Sequence, residues 1–103
     1  MKLSTGYITT PTKAEAKEIA TVLLEEGLVA CANIFPGVES YFSWDGEIQK
    51  EKEIVIMIKT RQKHEDKIIR IVKEIHSYEV PCVTFTSIDY GNKEYLKWID
   101  QVT

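Results

Sequence analysis

Apolar and polar positions alternate along Lys2–Thr10, with Leu3, Thr5, Tyr7 and Thr9 on one side and Ser4, Gly6 and Ile8 on the other. A period of two predicts a strand, and Pro11, which has no amide to donate, ends it. The period then changes. Ala16, Ile19, Ala20 and Leu23 recur at three and four residues and predict a helix over Lys13–Glu26. Thr12-Lys13-Ala14-Glu15 has the spacing of a capping box, in which the Thr12 oxygen takes the Glu15 amide and the Glu15 side chain reaches back. Leu28–Ile34 is a nearly continuous run of small apolar residues, expected as an interior strand, and Pro36-Gly37 predicts a kink or bulge after it.

From Val38 to Thr60 the chain reads as two strand-like runs around Asp45-Gly46, the strongest short hairpin signal because both central positions of a type I′ turn need positive φ. A two-residue turn sets Trp44 against Glu47, Phe42 against Gln49 and Ser40 against Glu51. On the other face Tyr41 meets Lys50, and Glu39 meets Lys52 as an expected ion pair. Ile54-Val55-Ile56-Met57-Ile58 is apolar on both faces. A second helix is predicted from about Lys63, with Ile68, Ile71, Val72 and Ile75 as its buried stripe and Glu65 and Asp66 in its first turn. Pro81 forces an extended path, and Val80–Tyr90 is predicted as a fourth strand with Val83 and Phe85 on one face and Cys82, Thr84 and Thr86 on the other. Gly91-Asn92 caps a last helix whose stripe is Tyr95, Trp98, Ile99 and Val102.

The order β-α-β-β-α-β-α predicts an α+β fold, a ferredoxin-like split βαβ sandwich over residues 1–103 as one domain, with a long hairpin between its second and third strands and an extra C-terminal helix. Two helices cover one sheet face. The other face has only the short last helix, and the hairpin carries three aromatic residues with little to pack on. Tyr41, Trp44, Tyr95 and Trp98 are therefore expected at an interface between copies of an obligate oligomer.

Composition narrows the function more than it names it. At 103 residues and a net charge of −3, with no block of basic residues, a nucleic-acid groove or an anionic membrane surface is disfavoured. No run of 18 apolar residues occurs, and the start lacks the apolar stretch of a signal peptide. Two cysteines far apart suit a reducing cytoplasm. No serine stands at motif spacing from a histidine, no glycine-rich phosphate loop is present, and Thr9-Thr10-Pro11-Thr12 lacks the arginine of an anion-cradling acylphosphatase loop; no enzymatic reaction is expected.

Candidate chemistry is sparse. Cys82, on a strand near a loop, is the preferred soft metal ligand, with His76 and Cys31 as further candidates; thiolate and imidazole suit copper or zinc better than magnesium or calcium. Each also has a plain structural role: a small hydrophobe for either cysteine, a helix-end residue for His76. His64 is expected at the surface. Lys59, Tyr78 and Glu79 could line a cleft between subunits that takes a small anion or a protein partner, or simply fix a loop. No organic cofactor is implied.

Ala30-Cys31-Ala32-Asn33-Ile34 with Pro36-Gly37, Ser40, Tyr41, Trp44 and Gly46 resembles the CutA, or divalent-cation-tolerance, family. Lys59-Thr60, His76-Ser77-Tyr78-Glu79-Val80-Pro81 and Tyr95-Leu96-Lys97-Trp98-Ile99 continue the pattern over essentially the whole chain. The resemblance implies a cytoplasmic homotrimer of ferredoxin-like subunits linked to copper and divalent-metal tolerance, similar in assembly to the nitrogen-regulatory PII signal proteins, and without a reaction. Two functions from different classes follow: a metal-binding tolerance trimer, and a non-catalytic signalling trimer. The chain departs from the family in carrying Ser77 where proline is frequent, Cys82 where glutamate is frequent, and Thr9 where some members have cysteine.

Overall fold

The computed structural model describes all residues 1–103. Strand β1 (Leu3–Thr10) leads into helix α1 (Lys13–Glu25), then β2 (Val29–Trp44) and β3 (Glu47–Arg61) form the hairpin. A single 3-10 turn (Gln62–His64) precedes helix α2 (Glu65–Ile75), followed by strand β4 (Val83–Ile88) and helix α3 (Lys93–Val102). The antiparallel sheet has the order β2-β3-β1-β4, the arrangement expected of a split βαβ unit.

Strand alternation sorts the sheet into two faces. Ile8, Ile56 and Ile58 turn toward α1 and α2, where they are buried with Ala16, Ile19, Leu23, Ile68 and Val72; Ala32, Ile34, Val83 and Phe85 pack at the edge of this cluster. Thr5, Tyr7, Thr9, Met57, Lys59 and Cys31 alternate onto the opposite face. Helix α3 covers one end of that face, touching β1, β2 and β3, with Ile99 wholly buried and Leu3 nearly so. The middle stays open. Tyr7 is exposed there, in the row that also carries Met57 and Thr84, and so is Phe35, in the row of Val55 and Thr9.

The hairpin register is the one the sequence predicts: Trp44 opposite Glu47, Phe42 opposite Gln49, Ser40 opposite Glu51, Tyr41 opposite Lys50. Asp45 and Gly46 both adopt positive φ, 50° and 75°. The register slips between Phe35 and Val38, and Gly37 takes φ 76°, so the expected bulge at Pro36-Gly37 is present. Beyond it β1 no longer follows, since its last partner on β3 is Ile54. Val38–Trp44 and Glu47–Glu53 therefore project as a bare two-stranded ribbon, about 20 Å long at strand rise. It accounts for the elongated shape, 44 × 26 × 23 Å.

Several expectations are corrected. The run Leu28–Ile34 forms an edge strand of the chain's own sheet, because β3 rather than β2 pairs with β1. Glu39 and Lys52 face each other but form no ion pair; a pair so exposed gains little, and Lys50 instead lies over the Tyr41 ring, 5.6 Å from its centre. Helix α2 starts at Glu65 rather than about Lys63, after the 3-10 turn. Strand β4 is shorter than Val80–Tyr90: Pro81 has no amide to donate, and Val80 and Tyr90 are 74% and 93% exposed. Half of the capping box forms. The Thr12 Oγ accepts the Glu15 amide at 3.2 Å, while the Glu15 carboxylate turns away from Thr12 to the loop after α2.

Candidate functional site

That loop, residues 76–82, gathers most of the polar chemistry at the end of the sheet remote from α3. His76 caps α2, its backbone amide donating to Val72 O at 2.8 Å. Its ring is buried. Nε2 lies 2.7 Å from Thr9 O, and because a carbonyl only accepts, Nε2 carries a proton. Nδ1 lies 3.0 Å from the Tyr78 backbone N–H, which donates to it, and 3.3 Å from Glu15 Oε2. The same carboxylate oxygen accepts the Ser77 amide at 3.2 Å. Both ring nitrogens of His76 are thus committed within the chain, and the ring is not presented as a metal ligand.

Tyr78 folds back from this loop, its ring centre 4.8 Å from that of His76, and donates its hydroxyl to Glu53 Oε2 at 3.0 Å. Glu53 is buried, the β3 residue at the base of the ribbon and on the face shared with Val55. Burial pushes the Tyr78 phenol up to about 12, helped by the hydrogen bond to Glu53 and the charges of Glu53, Glu51 and Glu15. Cys82 lies next to the Ile8–Val83 pair, half-buried near Thr9. Burial raises its thiol pKa and Glu53 adds to the rise, while the polar groups of Thr9 nearby pull in the other direction. Glu79 is exposed on the loop's outside.

Cys31 is elsewhere. It sits opposite Lys59, half-buried rather than in the most enclosed strand, with Sγ 3.5 Å from the Tyr95 hydroxyl of α3. This hydrogen bond, with burial added, pushes the Tyr95 phenol up to about 12. Tyr95 and Trp98 stand 5.6 Å apart, centre to centre, and both remain about 40% exposed, at 42% and 40%. His64 is tied to the C-terminal residue, Nε2 lying 3.1 Å from Thr103 O, beside Arg61, whose Nη2 donates to the same oxygen at 3.0 Å.

Of the residues singled out from the sequence, the fold brings His76, Tyr78 and Cys82 to one corner and leaves Cys31 and Lys59 at the other. Lys59 and Glu53, the anchor of Tyr78, are six residues apart on β3, about 20 Å. Cys31 and Cys82 lie toward opposite edges and opposite ends of one sheet face. No group of three or more His, Cys, Asp or Glu side chains suited to a metal ion forms within the chain. Glu15 and Glu53, both central to the corner, escaped notice in the sequence. Glu53 had one signal: alternation puts it in line with the apolar Val55 and Met57, on the face turned away from α1 and α2, an unusual row for a carboxylate.

Comparison with known proteins gives a consistent picture. The family described as CutA1 divalent ion tolerance protein matches residues 4–102. The divalent-cation tolerance protein CutA of Archaeoglobus fulgidus is 44% identical over 95 residues, covering 92% of each chain. A mouse protein named CutA is 37% identical over 101 residues, and the chain spans 57% of its length. Among solved structures, a divalent cation tolerance protein from Thermus thermophilus superposes with a TM-score of 0.96 at 38% identity, covering 98% of both chains. CutA1 from Oryza sativa also gives 0.96 at 38% identity, covering all of this chain and 94% of its own.

Proposed function

The chain belongs to the CutA1 divalent ion tolerance family, and from that premise we propose that it acts as a homotrimer that binds copper or a related soft metal between its copies, without catalysing a reaction. One observation carries this: the sheet face opposite α1 and α2 is covered only at the α3 end, and Cys82 lies toward its other end on the face that also carries the open apolar residues Tyr7 and Phe35. One chain does not assemble a metal centre, since Cys31 and Cys82 are far apart and His76 is occupied. Thiols contributed by separate copies supply what each lacks. Thiolate is a strong ligand for copper(I), so Cys82 is the residue we assign to it, with Cys31 second. Glu53, whose charge faces Cys82, opposes loss of the thiol proton until a cation arrives.

Two unpaired cysteines fit a reducing compartment, and we place the protein in the cytoplasm. Relatives are named from other places: a rice homologue is called chloroplastic and the Archaeoglobus structure periplasmic. No helix is long and apolar enough to cross a membrane.

Copper(I) titration of the purified protein against a competing chelator tests the assignment, comparing wild type with C82S and C31S. C82S is expected to weaken binding more than C31S. Wild-type affinity should rise with pH, by about tenfold per unit for each thiol proton released. Equal affinity in all three proteins removes the thiols from the mechanism. An intact trimer that takes up no copper moves the assignment to the signalling class, with a small anion or a protein as partner and Lys59, Tyr78 and Glu79 as the residues to probe.

A further inference from the structure

The His76 ring is held by bonds that cannot all survive a change in its charge. Its Nε2–H is pinned by Thr9 O at 2.7 Å in either protonation state. In the neutral ring Nδ1 is therefore the bare nitrogen, and it accepts the Tyr78 amide at 3.0 Å. Once protonated, Nδ1 has no lone pair. It becomes a donor, and an acceptor already waits 3.3 Å away in Glu15 Oε2. The Tyr78 amide is then left without its partner, while the Ser77 amide keeps its bond to the same carboxylate.

We propose that His76 is a proton-operated latch on the 76–82 loop: neutral, it holds the Tyr78 backbone; protonated, it turns to Glu15 and lets go of Tyr78. Tyr78 is what the latch positions, because its hydroxyl clasps buried Glu53 at the base of the projecting ribbon. A proton taken up between α1 and α2 is thus transmitted to the middle of β3, where the ribbon leaves the sheet. The groups facing the ring are few. Glu15 comes from α1, Tyr78 from the loop itself and the Thr9 carbonyl from β1, with Glu53 and Glu51 of β3 beyond the Tyr78 ring and Cys82 on the far side of Thr9. Neither the phenol nor the thiol, both raised, titrates in the range where imidazoles do. The latch stands apart from the metal assignment and is read in metal-free protein.

Nitrogen-resolved NMR of the metal-free full chain, stepped from about pH 8 to about pH 5, reads both halves of the latch. At the upper end His76 is expected as the Nε2–H tautomer. As it protonates, the Tyr78 amide shift should move with the same midpoint. Its protection against hydrogen exchange, corrected for the intrinsic pH dependence, should fall by about tenfold, the value of one backbone hydrogen bond, while Ser77 stays protected. E15Q should move the shared midpoint to lower pH, since no carboxylate then favours the imidazolium. H76Q, whose amide can still donate to Thr9 O and accept from Tyr78, should flatten the Tyr78 profile. A His76 ring protonated on Nδ1 at the upper end, or a Tyr78 amide indifferent to His76 in wild type and E15Q, overturns the latch whether or not H76Q folds.

Discussion

A tyrosine in a connecting loop and a glutamate on a ribbon become one unit once their side chains meet, and the Tyr78–Glu53 bond has a measurable consequence. Its phenol is raised to about 12 in the folded chain, above the ordinary 10.0. A raised folded-state value means that the folded form holds its proton longer. The associated stability is fully present below about pH 10 and is lost as pH rises toward about 12. Y78F should remove one late phenolate ionisation and flatten part of the decline in unfolding free energy across that interval; the raised Tyr95 ionisation should remain. Phenolate absorbance and denaturant unfolding at stepped pH check both expectations, and an unchanged late titration in Y78F would count against the bond. At this scale the sequence was half legible. Tyr78, His76 and Cys82 drew notice as chemistry near a proline exit, but their partners Glu15 and Glu53 are 62 and 25 residues away from the groups they meet, at Ser77 and Tyr78. Only the folded path of the loop brings them together.

Elements were more readable than residues because their signals are local. Alternation located β1, three- and four-residue spacing located α1, and Asp45-Gly46 set the register of the hairpin pair by pair. What local pattern does not carry is which strands become neighbours. The apolar run Leu28–Ile34 looked interior, yet its half-buried small residues from Ala30 on also suit an edge that another chain approaches. The turn offers a direct test of how firmly the ribbon is integrated. Gly46 holds φ 75° with open space where a Cβ would point, so G46A meets no clash and pays only for its backbone conformation, about 1–2 kcal/mol. G91A is the control, because Gly91 lacks positive φ and an added Cβ would find Leu96 at an ordinary 3.5 Å. Denaturant unfolding should show a clear loss for G46A and a smaller one for G91A. No loss in G46A would mean that the ribbon frays independently of the rest of the chain.

The molecule as a whole leaves more apolar surface open than a self-sufficient chain of this size normally does. Tyr41, Trp44 and Ile48 on the ribbon are 63%, 57% and 83% exposed, and Tyr95, Trp98 and Val102 on α3 are 42%, 40% and 46% exposed. One set projects from the sheet and the other lies on a helix that covers only part of a face. They suit a head-to-tail contact in which each copy's ribbon packs on the next, and a rotation that closes such contacts makes a ring. Trp44 discriminates sharply between the possibilities. In the isolated chain it has little to lose, and W44A should shift stability by less than about 0.5 kcal/mol. Seated between copies, its removal leaves a cavity costing about 3–5 kcal/mol per site. We expect sedimentation equilibrium to show a wild-type trimer at low micromolar concentration, and W44A to melt markedly lower and dissociate on dilution, both measured at matched concentration because assembly stabilises by mass action. A stable wild-type monomer ends the assembly proposal, and with it the metal centre built from several copies. A stable dimer keeps the contact and refutes the ring of three. A trimer indifferent to W44A leaves the ribbon outside the interface and moves the contact to the open sheet face around Tyr7 and Phe35, where Y7A should then carry the loss.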